Sequence, residues 1–239
     1  MQKTLHKSDG LHVAIMMDGN GRWATRQGMG RSDGHRAGAE AIRGVVERAP
    51  ALGISMLTLF GFSSDNWRRP PAEVAALMRL IAAYLRHEAG RLAEHGIRLE
   101  VIGRRDRLPS RLNREIQRAI AATASGDRLT LRLAIDYSGR AAIVEAARAV
   151  AAAGPDYAER FGELVAGGRS AQELDLVIRT GGEQRLSDFL LWEAAYAELW
   201  FTEIMWPDFT GDDLDAAVAA FRRRDRRFGG LNGQAGARA

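Results

Sequence analysis

The stretch Leu11-His12-Val13-Ala14-Ile15-Met16-Met17-Asp18-Gly19-Asn20-Gly21-Arg22-Trp23 decides how this chain is read. Residues 11–17 form a short apolar run of the kind that marks a strand buried on both faces. The run ends in a carboxylate, and two glycines and an arginine follow. Working outward, Ala39, Ile42, Val45, Val46 and Ala49 recur at helical spacing and stop at Gly53. Residues 54–62 are strand-like, and residues 63–69 form a polar loop. Pro70 and Pro71 open a long helix with the stripe Val74, Leu77, Met78, Ile81 and Leu85, ended by Gly96. Alternation continues with a strand over 97–103, a helix marked by Leu112, Ile116, Ala119 and Ile120, and a strand over 129–136. Then come a helix carrying Ile143, Ala147 and Val150, broken at Gly154-Pro155, and a helical piece over 157–165. A fifth strand over 174–179, a helix over 189–197 and a very short sixth strand over 199–201 complete the series. Thr210 with Asp213 resembles a capping box for a last helix holding Leu214, Val218 and Phe221.

Strand–helix alternation requires crossover connections and therefore a parallel sheet covered on both faces. The expected fold is α/β: one domain over 11–230, with a mostly parallel six-stranded sheet flanked by helices. Residues 1–10 and 231–239 read as flexible ends. The 239 residues suit one large domain. No run approaches the length of a membrane-spanning helix, and the first ten residues lack the apolar stretch of a secretory signal. Cysteine is absent, which excludes disulfides and thiolate chemistry, and the expected placement is cytoplasmic. The net charge is only +4, but of the 34 basic residues only Lys3 and Lys7 are lysines. A GC-rich coding sequence accounts for that bias; where particular arginines sit is what carries chemistry. The dense run Arg222-Arg223-Arg224-Asp225-Arg226-Arg227 reads as a solvated helix end, and without a basic stripe elsewhere no nucleic-acid partner is expected.

Open parallel sheets bind ligands beyond the carboxyl ends of their strands. Strand one delivers Asp18, Gly19, Asn20, Gly21, Arg22 and Trp23 there. Glycines let backbone N–H groups approach an anion, and Asp18 beside a phosphate cradle suits Mg²⁺. A tight turn with Asp18 as a helix cap explains the same residues. Strand two leads into Ser63, Ser64, Asp65, Asn66, Trp67, Arg68 and Arg69, a set able to order a phosphorylated ligand or to make an ordinary polar turn. Strand five delivers Arg179, Arg185, Leu186 and Ser187 close to two glycines, a diphosphate clamp. Glu198 lies among apolar neighbours and needs a partner, either a metal shared with Asp18 or a buried arginine. His35 is placed to donate to a phosphate or to sit at the surface. The other histidines show no ligand spacing, so zinc is not expected.

Together, these segments resemble the cis-prenyltransferases, the family of undecaprenyl diphosphate synthase. The resemblance runs from His12 to Gly230 and rests on residues 12–23, on Phe62-Ser63-Ser64-Asp65-Asn66-Trp67, on residues 175–183 and on Trp206-Pro207-Asp208-Phe209. It implies an α/β homodimer with an apolar tunnel. The implied reaction is Mg²⁺-dependent condensation of isopentenyl diphosphate with an allylic diphosphate, farnesyl or geranyl, into an undecaprenyl-like Z-polyprenyl diphosphate. Transient contact of a peripheral kind with a membrane is implied by that product. By matching position, Asp18 and Glu198 would hold Mg²⁺. Gly19, Asn20, Gly21, Arg22, Arg31, His35 and Arg69 would bind the allylic diphosphate, with Trp23 nearby. Arg179, Arg185 and Ser187 would hold isopentenyl diphosphate, and Asn66 is the family's proposed proton acceptor. Because an amide is a poor base, Asn66 is expected to orient a water or a diphosphate oxygen instead. The stripe from Val74 to Leu85 would face Leu129, Leu131 and Leu133 across the tunnel, and the small Gly61 would leave room for a long product.

The chain departs from the family pattern at Gln184, where His is frequent, and at Asp188, where Asn is usual. Asp136-Tyr137-Ser138-Gly139-Arg140 stands for Asn-Tyr-Gly-Gly-Arg, and the 140–175 segment is short. These departures remove no residue assigned to chemistry and leave open a short- or medium-chain paralogue. A non-catalytic partner subunit of the same fold is a second alternative, against which stand Asp18, Asn66, Arg179, Arg185 and Glu198, all present. Asp212-Asp213-Leu214-Asp215 lacks the spacing of the trans-type synthases.

Overall fold

The computed structural model describes residues 10–154, 160–168 and 173–224. The expected flexible ends fall outside these residues, Gly10 aside, as does part of the 157–165 piece. Six strands, β1 (Leu11–Met16), β2 (Ile54–Ser63), β3 (Ile97–Ile102), β4 (Leu129–Tyr137), β5 (Leu176–Arg179) and β6 (Glu198–Phe201), make one sheet in the order β3-β4-β2-β1-β5-β6. Every neighbouring pair is parallel, so the sheet is wholly rather than mostly parallel. The helices are α1 (Asn20–Arg26), α2 (Arg31–Arg48), α3 (Pro71–Glu94), α4 (Ser110–Ala122), α5 (Gly139–Ala153), α6 (Phe161–Val165) and α7 (Gly211–Arg222).

Period-two alternation assigns the two faces. Val13 and Ile15 of β1, with Leu131 and Leu133 of β4, pack in a core that includes Val45, Leu77, Ile116 and Val218 from α2, α3, α4 and α7. Ala14, Met16 and Ala134 turn the other way, onto Phe189 and Leu190, and Tyr137 joins them because Asp136, at positive φ, breaks the alternation. Pro71 opens α3, and Thr210 caps α7 reciprocally with Asp213, both as the sequence indicates.

Three local readings need correction. The helix around Ala39 begins eight residues earlier, at Arg31, and a separate short helix α1 precedes it. Residues 63–69 are more ordered than a loop. Ser64–Arg68 is a 3-10 helix whose N-cap Ser63 accepts from Asp65 N–H, while Asn66 Oδ1 accepts from Ser63 N–H at 3.2 Å. The expected helix over 189–197 shrinks to a single 3-10 turn, Glu193–Tyr196. Ser187, Asp188 and Leu190 all have positive φ, a conformation that no right-handed helix contains.

Two glycines on one face of α2 set the position of α1. A Cβ at Gly34 would lie 2.0 Å from the carbonyl oxygen of Asn20, and one at Gly38 would lie 2.1 Å from Asn20 Oδ1. Trp206, almost fully buried, closes the same contact by donating from Nε1 to the Gly38 carbonyl at 2.7 Å. Gly34→Ala gains up to about 1 kcal/mol of helix propensity. The clash is with backbone that cannot rotate away, so overpacking at about 1–3 kcal/mol wins. We expect a lower urea midpoint for Gly34→Ala, by net destabilisation; a midpoint at or above that of the parent protein would contradict the packing argument.

Candidate active site

Strand order reverses at β1, whose neighbours are β2 on one side and β5 on the other, and this is where an open sheet leaves a crevice. Asp18 stands just past β1 and Arg179 ends β5. Asp18 Oδ2 accepts from Arg179 Nη2 at 2.9 Å, and Oδ1 accepts from Gly19 N–H at 2.6 Å. The backbone of Asp18 is pinned as well. Its N–H donates to Thr180 Oγ1 at 3.0 Å, and its carbonyl accepts from Trp206 N–H at 3.0 Å. Arg179 is buried, with 5% of its side chain exposed, whereas 37% of the Asp18 side chain faces solvent. The pair is therefore a fixed cation behind an accessible carboxylate.

Around it opens a cavity of about 420 Å³. Its mouth is polar, with Asp18, Arg22, Arg31, His35, Arg69 and Arg185. Its depth is apolar, running between α2 and α3 over the sheet, past Ile42, Leu77, Ile81 and Leu133 to Tyr84. Gly61 lies on its wall as the extra residue of a bulge in β2, between the registers Phe60↔Ala134 and Phe62↔Ile135. Only part of the expected apolar wall is exposed to the cavity. Val74, Met78, Leu85, Leu129 and Leu131 are core residues, while Leu80, Tyr84 and Ile135 take their places.

Each cation at the mouth rests on a carboxylate. Arg31 and Arg69 lie 3.6 and 3.2 Å from Glu73, and Arg22 lies 3.5 Å from Asp18 and 3.6 Å from Glu183, which also pairs with Arg185. His35 Nε2 is buried without a hydrogen bond, 3.7 Å from Glu73 Oε1. Burial, and then the neighbouring Arg69 charge, push its pKa below the ordinary histidine value, so it is neutral at pH 7.

The structure thus gathers Asp18, Gly19, Asn20, Gly21, Arg22, Arg31, His35, Asn66, Arg69 and Arg185 around one cavity. Arg179 stands behind Asp18 and donates from Nη1 to Ser187 Oγ at 2.9 Å. Other expected site residues lie elsewhere. Trp23 points its indole N–H at Asp208 Oδ1, 2.7 Å away. Ser63 and Ser64 serve the loop itself, the latter donating to Asp136 at 2.9 Å, and Asp65 is exposed next to Arg68. Trp67 packs edge-on against Phe62, with Arg107 over its ring at 5.4 Å. Leu186 packs in the core behind the sheet.

Glu198 requires a correction. It opens β6 opposite Leu176, three residues upstream of the Arg179↔Phe201 pair, which is about 10 Å along a strand. It is ion-paired with Arg224, so within one chain it does not meet Asp18. The buried-arginine alternative had the right chemistry, though this arginine is not buried. Glu73 and Glu183 were missed as partners of the site arginines; their only sequence signal was an acidic residue close to Arg69 and to Arg185.

Among the described residues, no group of three potential metal-binding side chains occurs. The residues still fit Mg²⁺, which binds through one or two carboxylates with substrate phosphates and water completing its shell. Asp18 supplies one accessible hard oxygen donor, and the surrounding arginines favour the diphosphates that would supply the rest.

Residues 16–229 match the family model described as "Putative undecaprenyl diphosphate synthase". The chain belongs to this family. It is 59% identical to isoprenyl transferase 1 of Bradyrhizobium diazoefficiens over 94% of this chain and 92% of the relative. It is 49% identical to the ditrans,polycis-undecaprenyl-diphosphate synthase of Salmonella paratyphi A, described as (2E,6E)-farnesyl-diphosphate specific, over 92% and 90%. Among solved structures, it resembles lavandulyl diphosphate synthase from Lavandula x intermedia in complex with dimethylallyl diphosphate. That match has a TM-score of 0.88 and 36% identity, and covers 92% of this chain and 98% of the other. The chain is accordingly a prenyl transferase of the cis-prenyltransferase family, whose members act on an allylic and an isopentenyl diphosphate. No helix among the described residues is long and apolar enough to cross a membrane.

The departures from the family pattern at 138 and 188 meet each other. Asp188 accepts from Ser138 Oγ at 2.5 Å and from Arg140 N–H at 2.8 Å, bracing the positive-φ segment that cups Arg179.

An incoming anion favours the charged form of His35, so binding raises a pKa that starts low, and a proton must be taken up. Calorimetry with pyrophosphate at pH 7, in buffers of different ionisation enthalpy, should show that uptake in the parent protein and not in His35→Asn. Identical heats in all buffers would rule it out.

Proposed function

We propose that this chain joins isopentenyl diphosphate to an allylic diphosphate, farnesyl or geranyl, with Mg²⁺, and releases a Z-polyprenyl diphosphate of undecaprenyl type. The observation that carries this reading is the two-ended cavity. Its mouth holds Asp18 among arginines drawn from two sides of the β1–β5 crevice, and its depth is lined by Ile42, Leu77, Ile81 and Leu133. An anionic head and an apolar tail suit those two ends.

In this reading, Arg22, Arg31, His35 and Arg69 bind the allylic diphosphate, and Arg179, Arg185 and Ser187 bind that of isopentenyl diphosphate. Asp18 holds the metal. Bound Mg²⁺ would offset charge on the departing diphosphate. The arginines add fixed positive charge at the same place, which favours breaking the allylic C–O bond. Holding both substrates by their heads keeps the olefin against the allylic carbon, so a C–C bond forms as that C–O bond breaks. The proton then lost from isopentenyl diphosphate passes to a diphosphate oxygen. Asn66 does not take it, because an amide is too weak a base; with Oδ1 accepting from Ser63 N–H, its Nδ2 serves as a donor to an anion.

Val144, Trp192 and Tyr196 are exposed large apolar side chains, with Phe161 against Trp192 at 4.8 Å. We assign that patch to the homodimer interface. Placement in the cytoplasm, with transient membrane contact for product release, belongs to the same proposal.

Labelled isopentenyl diphosphate incubated with farnesyl diphosphate and Mg²⁺ should enter a Z-product, and Asp18→Ala should lower turnover about 10²- to 10³-fold. No incorporation at any Mg²⁺ concentration would favour a non-catalytic subunit. Asn66→Ala at near-full turnover would remove Asn66 from the mechanism. Gly61→Leu should shorten the product. A Cβ there meets only ordinary contacts, 3.4 Å from the Ala134 carbonyl and 3.9 Å from Ile135 Cγ1, so the added side chain has to enter the cavity. An unchanged product length by mass spectrometry would refute that assignment.

A further inference from the structure

We propose that Asp136 is the positioning residue for the loop that carries Asn66 and Arg69, acting through Ser64 and Arg107. The inference rests on the roles given above to Asn66 and Arg69.

Asp136 lies near the carboxyl end of β4, with a side chain wholly removed from solvent and φ of 51°. A non-glycine residue in the left-handed region is uncommon, although Asp and Asn accept it better than most. Its carboxylate is fully engaged. Oδ1 accepts from Ser64 Oγ at 2.9 Å and from Arg107 Nη2 at 2.5 Å, and Oδ2 accepts from Arg107 Nε at 2.9 Å. Its backbone carbonyl accepts from Arg104 N–H at 3.1 Å. One side chain thus ties three segments together: the end of β4, the 3-10 helix after β2, and the connection from β3 to α4.

Burial alone would push the Asp136 carboxyl up. Arg107, Ser64 and Trp67 together outweigh it and hold the group below the usual carboxylate range, so it is ionised at working pH. The charge matters because Arg107 does a second job, lying over the Trp67 ring at 5.4 Å. Trp67 stands between Asn66 and Arg68, so the guanidinium clamps the loop from outside while Ser64 anchors it from within. Asp136 itself does not line the cavity, whereas Asn66 and Arg69 do. Its effect on chemistry is therefore carried by the position of the loop.

Asp136→Asn keeps size, the Oδ1 acceptor for Ser64 and tolerance of positive φ, while it removes the charge facing Arg107 and turns the acceptor for Arg107 Nε into an amide donor. Misplacement of a reacting group by about 1 Å can cost on the order of 100-fold in rate. We expect kcat to fall on the order of 10- to 100-fold, with KM for isopentenyl diphosphate within about threefold, since Arg179 and Arg185 are not moved. On an Asn66→Ala background, the same substitution should cost less than it does alone, because only the part carried by Arg69 is left to lose. A full kcat, or losses that multiply in the double variant, would overturn the proposal. Arg68, with 87% of its side chain exposed, gives a readout that needs no turnover. Trypsin should cut after Arg68 about tenfold faster in Asp136→Asn, and equal cutting would overturn the tether even if turnover fell. An inactive parent protein would reject the prenyl-transfer reading, while the trypsin comparison would still test the tether. Should thermal melting show Asp136→Asn unfolded, Ser64→Ala is to show the same cycle and faster cutting, and additive losses or equal cutting there would count against the proposal.

Discussion

The contact between Asp18 and Arg179 is the constraint around which the rest is arranged. Opposite charges 2.9 Å apart, one buried and one half open, would be costly on a lone loop. Here the two residues close adjacent parallel strands, and the strands are held by their own ladder from Val13↔Leu176 to Met16↔Arg179. Sheet geometry thus fixes the separation, and side-chain entropy contributes little to the cost. The switch point at β1 matters for the same reason. Connections leave it in opposite directions, so no crossover helix covers the crevice and the carboxylate keeps its exposure.

Carboxylates around the arginines are the second element. Without them, Arg22, Arg31, Arg69 and Arg185 would repel one another about a partly desolvated cavity. Glu73 lies 3.2 Å from Arg69 and 3.6 Å from Arg31, and Glu183 lies 3.6 Å from Arg22 while it bonds Arg185 closely. A diphosphate brings more oxygens than a carboxylate and can outcompete these contacts. His35 follows the same logic from the other side. It stays neutral while the site is free, which limits repulsion among the cations.

Much of this was legible from residue order. Apolar runs at 11–17, 54–62 and 174–179 mark strands because a two-sided parallel sheet leaves them little polar alternation, 97–103 and 129–136 carry interleaved polar residues, and residues soon after 17, 62 and 179 stand at the cavity mouth. What was illegible depended on register and on who pairs with whom. Glu198 looked like a metal ligand because strand lengths alone do not say which end of β6 lies beside Asp18; the ladder puts it opposite Leu176. Trp67 looked like a ligand contact because an indole in a polar turn is unusual, and Arg107, forty residues away, is what explains it. The helix over 189–197 shrinks to a turn at Glu193–Tyr196 because positive φ at Leu190, following Ser187 and Asp188, keeps its first residues out of a helix.

That forced segment shows where the fold accepts local cost for the site. Three non-glycine residues in the left-handed region are each unfavourable by about 1 kcal/mol or more. The conformation persists because several bonds require it. Arg179 donates to the carbonyl of Arg185 and to Ser187, Gly139 N–H donates to the Asp188 carbonyl at 2.8 Å, and the Asp188 carboxylate holds Ser138 and Arg140. A Cβ at Gly139 would lie 2.9 Å from the Asp188 carbonyl oxygen, so the glycine is part of the brace. A relaxed helix over these residues would turn the carbonyl of Arg185 and the Ser187 hydroxyl away from Arg179. The guanidinium would then be buried with Asp18 as its main partner. Strain at 187–190 is thus the counterpart of a buried arginine with the hydrogen bonds of its Nη1 made.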